Sequence, residues 1–412
     1  YQAHGEPLGP EGVKATKEHF GWPTEPDFYV PKDALEQFRR AIPRGEELEA
    51  DWDGRFERYR RQFPDLAQEW EDARGRRLRP GWDDDLPAYT PNHAPIATRD
   101  AGGAAMNAIA QHVPTLFGGD ADLAPSTKSY LKGMGDFEPG SYGGRNIHFG
   151  VREHAMGSIV NGMSVNGMLW PYGATFFAFS DYQRPSVRLA SIMKAPSIFI
   201  YTHDSVLLGE DGPTHQPVEQ LMSLRAMPGL VVIRPADATE SVAAWRWVMQ
   251  HGQEPVALVL TRQKVPVLDH AEAAGALDRG AYVLHEAPGN LDIILMATGS
   301  EVALCVDARQ ELAKRGIGAR VVSFPSWEIF ERQDNDYQES VFPPGVQTRL
   351  SVEAGATFGW CRWIGDQGGS IGINHFGASA PLAQISRHFG LNDENVVERA
   401  SQLVRRNESK HD

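Results

Sequence analysis

Short apolar runs recur through the middle and C-terminal parts of the chain, each followed by a stretch of helical period. They are "SIFIYT", "LVVIRP", "VALVLTR", "LDIILMATGS", "ARVVSF" and "RLSVEAG". Strands covered on both faces read as continuous apolar runs, and strands alternating with helices pair in parallel because the crossover needs a helix-length segment. The pattern predicts an α/β fold: two parallel-type α/β domains in tandem preceded by a helical linker. Its expected boundaries are 1–90, 91–280 and 281–412. Residues 1–90 are charge-rich, with Trp and Phe spaced for a narrow apolar stripe on exposed helices. The Pro- and Asp-rich "RPGWDDDLPAYTP" closes that arm.

Composition narrows the classes. The 412 residues hold 54 acidic and 40 basic side chains, a formal net charge of −14. Nucleic acid is not the expected partner, since phosphate backbones need basic patches; small phosphorylated substrates need only a few placed cations. Two cysteines, Cys305 and Cys361, imply no disulfide framework, and a cytoplasmic location is the simpler expectation. No run approaches the roughly 20 apolar residues of a membrane helix. The opening "YQAHGEPLG" has no Met and reads as the middle of a longer polypeptide, or as one chain of a split or cleaved protein.

Ligands of doubly wound sheets collect outside the carboxyl ends of strands. After "SIFIYT" the chain runs "YTHDSVLLGEDGPTHQP", 201–217, with His203, Asp204, Glu210, Asp211 and His215 among glycines and prolines. The spacing fits no helix-borne metal pair. Histidines near neutrality bond a hydroxyl or carry a proton; the plain alternative is a polar surface loop. In "GVREHAMGSIVNGM", Glu153 stands on a segment of helical period among apolar neighbours. A carboxyl taken out of water there can hold or share a proton near neutrality; the alternative is an exposed glutamate serving a helix N-terminus. Phe176, Phe179 and Tyr182 in "ATFFAFSDY" share one face if helical, forming either plain core or a slot for a planar heteroaromatic ring. Arg99, Ser126 and Arg262 lie at other expected element ends. Arginine with a hydroxyl suits a phosphate monoester, although each alone reads as a surface ion pair. There is no G-x-x-x-x-G-K-[ST] and no G-x-G-x-x-G opening a helix after a strand, so the anchor of any diphosphate cofactor is expected on another polypeptide.

Taken together, "HGEPLG", "ATRDA", "GGDADLAPS", "IHFGVREHAMG", "ATFFAFSDY", "YTHDSVLLGEDGPTHQPVEQ", "RPAD", "LTRQ" and "ATGSEV" resemble transketolase in order and spacing. The resemblance implies a thiamine diphosphate enzyme with Mg2+ or Ca2+. It would move a two-carbon glycolaldehyde unit from a ketose phosphate to an aldose phosphate, in the pentose phosphate pathway or Calvin cycle. Xylulose 5-phosphate, ribose 5-phosphate and erythrose 4-phosphate are the implied substrates.

Carried over by position, Glu153 pairs with the cofactor's aminopyrimidine and activates it. Phe179 stacks on that ring, with Phe176 and Tyr182 beside it, and Asp122 lies beneath the cofactor. His215 and His4 contact substrate hydroxyls and assist proton transfer, and Asp211 reads the hydroxyl next to the reacting carbon. Arg99, Ser126, His203 and Arg262 clamp the phosphate. No metal ligand is expected on this chain, since the family's G-D-G…N motif is missing. The diphosphate-binding domain is expected to be absent beyond its last residues, so activity would need an N-terminal transketolase polypeptide, the combined unit forming a homodimer. The alternatives are dihydroxyacetone synthase, with formaldehyde as acceptor, a 2-oxo acid dehydrogenase β subunit and a non-catalytic orphan module. The sugar-reading set His203, Asp211, His215 and Arg262 speaks against the dehydrogenase. A retained Glu153 and aromatic slot speak against a scaffold.

Overall fold

The computed structural model describes residues 2–270 and 276–408. It comprises two compact units, Tyr1–Glu71 and Asp72–Asp412. In the first, the helices Gly9–His19, Lys32–Arg39 and Ala41–Gln62 bury no residue. Trp52, Phe56, Tyr59 and Phe63 form a ladder along the longest of them, as spacings of three and four require on a helix.

The second unit holds two large sheets. The first has six parallel strands: β1 (Leu116–Asp120), β2 (Asn146–His148), β3 (Trp170–Phe176), β4 (Ile198–Thr202), β5 (Val231–Ile233) and β6 (Val256–Leu260). Their order is β2-β1-β3-β4-β6-β5. Every residue of β3, β4 and β6 is buried, which is why these strands read as continuous apolar runs. The period of two divides them between cores. Ile198, Ile200, Val256 and Leu258 pack with the helices Thr98–His112 and Ala238–Gln250. Phe199, Tyr201, Ala257 and Val259 pack with Val187, Ala190, Leu221 and Leu224 of the opposite layer. Gly119 lets β1 close on β2, because a Cβ there would lie 1.7 Å from the Ile147 carbonyl oxygen.

The second sheet has five strands: β7 (Tyr282–His285), β8 (Ile293–Ala297), β9 (Ala319–Ser323), β10 (Arg349–Val352) and β11 (Gly369–Ile371). The order is β11-β10-β8-β9-β7, parallel except for the edge strand β7. The helices Glu301–Lys314 and Asp393–Glu408 cover one face. An aromatic cluster of Phe324, Trp327, Phe330, Trp360 and Trp363 covers the other.

A buried charge network ties the two sheets. Arg234, just past β5, gives Nε and Nη2 to one oxygen of Asp204 (2.9 and 2.6 Å) and Nη1 to Glu301 (2.5 Å). Glu353 past β10 receives both terminal nitrogens of Arg225, each at 2.9 Å, together with Thr298 Oγ1 and Trp360 Nε1.

Candidate active site

The carboxyl ends of β1, β3, β4 and β6 are neighbours in the sheet, and each delivers a candidate. After β1 come Asp122 and Ser126, β3 ends at Phe176, β4 runs into His203, and β6 is followed by Arg262. Arg99 joins them because Thr98 and Thr261 exchange reciprocal bonds: Thr98 N to Thr261 Oγ1 (2.9 Å) and Thr261 N to Thr98 Oγ1 (2.7 Å). The start of one helix is thereby fixed against the end of a strand.

Glu153 is the first residue of the helix Glu153–Asn166, so its carboxylate meets the favourable end of the helix dipole. It is nevertheless buried, at 6% exposure. The exposed-cap reading therefore fails. Thr175 Oγ1 lies 3.5 Å away as hydrogen-bond donor, and a carboxylate has about four acceptor positions. Glu153 lines a cavity of about 730 Å³ with Val151, Arg152, His154, Ala155, Phe179 and Tyr182. The three aromatics do not lie on one helix: Phe176 closes β3, Phe179 ends a single 3-10 turn, and Tyr182 lies in the first turn of the helix Ser180–Met193. They still form a ladder. Phe176 and Phe179 stack at 5.9 Å with 18° between planes, and Phe179 and Tyr182 stand 6.0 Å apart. Phe176 is buried, Phe179 half-buried and Tyr182 exposed. The strand-to-helix corner bends the chain so that the rings stay aligned where a helix would have supplied the same spacing.

The ladder reaches the loop after β4. The His203 ring lies 3.7 Å from that of Phe176, and His215 lies 5.2 Å from Phe179. His203 is buried and adopts a left-handed backbone, φ 61°. Burial, then the charges of Arg99, Arg262 and His215, push its pKa down to about 3. It is therefore a neutral hydrogen-bonding ring, with Nδ1 2.9 Å from Thr202 Oγ1. Burial also lowers the Arg99 pKa; Arg262 adds to this, while Asp100 and Asp211 oppose it. Arg99, Arg262 and His215 act electrostatically on His203, and Arg262 and Asp211 on Arg99, so the five share one electrostatic neighbourhood in which Asp211 is exposed and His215 half-buried. Arg99 Nη1 donates to the Ser126 carbonyl at 2.9 Å, and its buried Nε has no partner. Arg262 Nη1 donates to the Leu208 carbonyl at 3.2 Å.

Two candidates stand elsewhere. Asp122, exposed and at φ 67°, lines a different cavity of about 710 Å³ with Asp120, Lys128, Tyr130 and His148. His4 belongs to the first unit, exposed on the short helix Gln2–Gly5. Among the described residues no group of three or more His, Cys, Asp or Glu is placed to hold a metal ion, and no helix is long and apolar enough to cross a membrane. Sequence reasoning missed Gln183, whose Oε1 accepts from Tyr201 at 2.8 Å while its buried Nε2 has no partner. It also gave no role to Asp204, Gln216 and Arg234; the signal for Arg234 is its place in "RPAD", directly after a strand.

Comparison with known proteins bears on the whole arrangement. Residues 94–267 match the family model of the transketolase pyrimidine binding domain, and 280–392 the transketolase-like C-terminal domain. A chloroplastic transketolase of Craterostigma plantagineum is 44% identical over 407 residues, covering 98% of this chain and 78% of that protein. The chain belongs to the transketolase family. The transketolase of Halalkalibacterium halodurans is 48% identical over 404 residues, covering 98% of this chain and 60% of that protein. The structure of Pichia stipitis transketolase in complex with sedoheptulose 7-phosphate overlays at a TM-score of 0.92 with 38% identity, covering 98% of this chain and 60% of that one. The chain thus spans about 60% of the length of several transketolases it matches. Residues 1–78 match the transketolase thiamine diphosphate binding domain. That match corrects the expectation of a chain lacking this domain: a stretch of it is present. The comparisons give no support to a separate N-terminal polypeptide or to a split or cleaved chain, nor to metal ligands on a missing domain.

Proposed function

We propose that this chain carries the aminopyrimidine and sugar-phosphate sites of a transketolase that transfers a two-carbon glycolaldehyde unit from a ketose phosphate to an aldose phosphate. The observation that carries the reading is Glu153, a buried carboxylate with spare acceptor capacity, opening into an aromatic-walled cavity. Such a pairing of carboxylate and stacked rings fits thiamine diphosphate, whose aminopyrimidine is flat and offers N–H donors. When bound with a divalent cation, Mg2+ or Ca2+, the cofactor supplies the nucleophilic carbon that takes up the two-carbon unit.

The chain's own residues do the rest. Glu153 holds and returns a proton at the pyrimidine nitrogen, and Phe179 sets the ring plane. His215 bonds the hydroxyls of the sugar chain, and Asp211 reads the hydroxyl beside the reacting carbon. Arg99 and Arg262, with the Ser126 hydroxyl and the His203 ring beside them, hold the terminal phosphate. His4 and Asp122 remain candidates for substrate and cofactor contacts respectively.

The partner proposed is a second copy of the protein. Ile159 and Val165 on one helix and Leu189, Ile192 and Met193 on the next are all exposed. Five exposed apolar side chains on two helices that pack together suit an interface. A cytoplasmic location accords with two unpaired cysteines.

The test is Glu153→Gln in the whole enzyme, assayed with thiamine diphosphate, Mg2+, xylulose 5-phosphate and ribose 5-phosphate. The expected result is a fall in kcat of well over tenfold with an unchanged circular dichroism spectrum. A loss smaller than tenfold would remove Glu153 from the assigned role.

A further inference from the structure

Two motifs, "ATGSEV" and "SVEAGATFGW", have no part in the site proposed above, yet both lead to the loop that bears His203 and His215. In the first, Thr298 accepts Arg234 Nη1 on its carbonyl and on its hydroxyl, each at 2.9 Å, and Glu301 accepts it at 2.5 Å. Gly299 makes this approach possible: its φ is +57°, and a Cβ there would lie 2.4 Å from the Arg234 Cζ. The same guanidinium grips Asp204, the residue after His203. In the second motif, Ala354 N donates to Glu301 (2.9 Å) and Ala356 N to the Val218 carbonyl (2.9 Å) where the loop ends.

Between these ends the loop is fastened twice more to the C-terminal domain. Gln216 Nε2 donates to the Gly209 carbonyl within the loop (2.8 Å) and to the Ala378 carbonyl across from it (2.9 Å). Ser379 Oγ donates to the Glu210 carbonyl at 2.5 Å. The loop needs such holding. His203 occupies a left-handed conformation, φ 61°, that is uncommon outside glycine, and such conformations persist where the surroundings over-determine them. Arg234 is suited to the task because its planar fork engages three partners in one fixed geometry, which a lysine cannot do.

We propose that the C-terminal domain is the anchor of the substrate loop, with Arg234 and Gln216 as positioning residues that set where His203 and His215 meet the sugar phosphate. The proposal rests on the sugar-phosphate reading of that site. It gives the C-terminal domain an indirect part in substrate recognition, exerted through the loop it holds.

The experiment compares wild type, Arg234→Lys and Gln216→Leu in the whole enzyme loaded with thiamine diphosphate and Mg2+. Hydrogen exchange is read over residues 205–216, and the affinity for ribose 5-phosphate is measured by calorimetry. In both variants the loop amides are expected to exchange at least tenfold faster while those of Ile198–Thr202 are unchanged. The Kd for ribose 5-phosphate is expected to rise at least tenfold, with thiamine diphosphate affinity preserved. If Arg234→Lys does not fold, Gln216→Leu decides alone. Loop exchange equal to wild type overturns the proposal, as does faster exchange with unaltered ribose 5-phosphate affinity. A general rise in exchange with loss of cofactor affinity overturns it too, reducing both residues to a structural role. Wild-type enzyme that does not bind ribose 5-phosphate would instead defeat the sugar-phosphate reading itself, and that failure is visible without any variant.

Discussion

Replacing Arg225 with Met tests how far the second sheet depends on its buried charges. The Arg225 and Glu353 side chains are only 3% and 1% exposed, and their two bonds are 2.9 Å long. Removing one partner of such a pair leaves a charge stranded in a low dielectric, at a cost of about 3–5 kcal/mol. Methionine keeps apolar contact with Trp327, over which the guanidinium sits at 4.2 Å, so the loss is mainly electrostatic. In the double variant Arg225→Met/Glu353→Gln, the neutral amide has no charge to strand, and about 2 kcal/mol or more should return as coupling.

The pH dependence gives a second handle. Burial alone would raise the Glu353 pKa, but Arg225's charge and hydrogen bond, with Arg234 and Thr298 behind them, hold it below its ordinary value of 4.5. A carboxyl depressed in the folded state stabilises fully above its unfolded pKa and loses that contribution as pH falls through the folded one. The gap between wild type and Arg225→Met should therefore be widest near neutrality and narrow below about pH 4.5. Urea unfolding followed by tryptophan fluorescence reads this region directly, since Trp327, Trp360 and Trp363 lie in the same cluster. A destabilisation under about 1 kcal/mol, or one independent of pH, would refute the reasoning.

Two further outcomes are expected. Desolvation lowers the His270 pKa, but the hydrogen bond and charge of Asp237, with the charge of Glu240, outweigh it and raise the value above 6.5. Stability from this contact is full below the unfolded pKa and lost as pH rises through the folded one, so the melting temperature of wild type should fall towards that of His270→Asn between pH 6 and 9; a constant difference excludes the linkage. Gly119→Ala should cost about 2 kcal/mol or more, because its Cβ would meet the Ile147 carbonyl oxygen at 1.7 Å, whereas Gly45→Ala in an open helix position should gain up to about 1 kcal/mol; equal effects in chemical denaturation would contradict the contrast.

What could be read in advance follows the reach of each interaction. The strand "SIFIYT" was legible because burial on both faces leaves no polar position, and all five residues of Ile198–Thr202 are buried. The position of the 201–217 loop followed from the parallel sheet, and the family motifs marked its histidines. The helical reading of "ATFFAFSDY" failed because a spacing of three recurs across a strand-to-helix corner, where Phe176 still belongs to β3. Burial of Glu153 could not be told from an exposed helix start by local pattern, since it depends on β3 lying behind it at Thr175. Asp204 reads as one more polar loop residue until Arg234, 30 positions on, and Glu301, a further 67 positions on, are brought together by two separate sheets. No local period carries that information.

Arg234 also limits how freely the molecule can be recombined. One guanidinium is shared between a loop of the first sheet and a turn of the second, and Val206, Leu207, Val218 and Ala236 pack into the core of the second sheet, so the two halves are not interchangeable parts. A chimaera that drew its C-terminal half from another protein would fold around a stranded cation unless that half brought a glycine at the place of Gly299 and acceptors at those of Thr298 and Glu301. Compatibility between halves would then depend on three residues of one turn together with a carboxylate at the place of Glu353 for Arg225, and a change in the loop at Asp204 would call for a matching change nearly a hundred positions away in the chain.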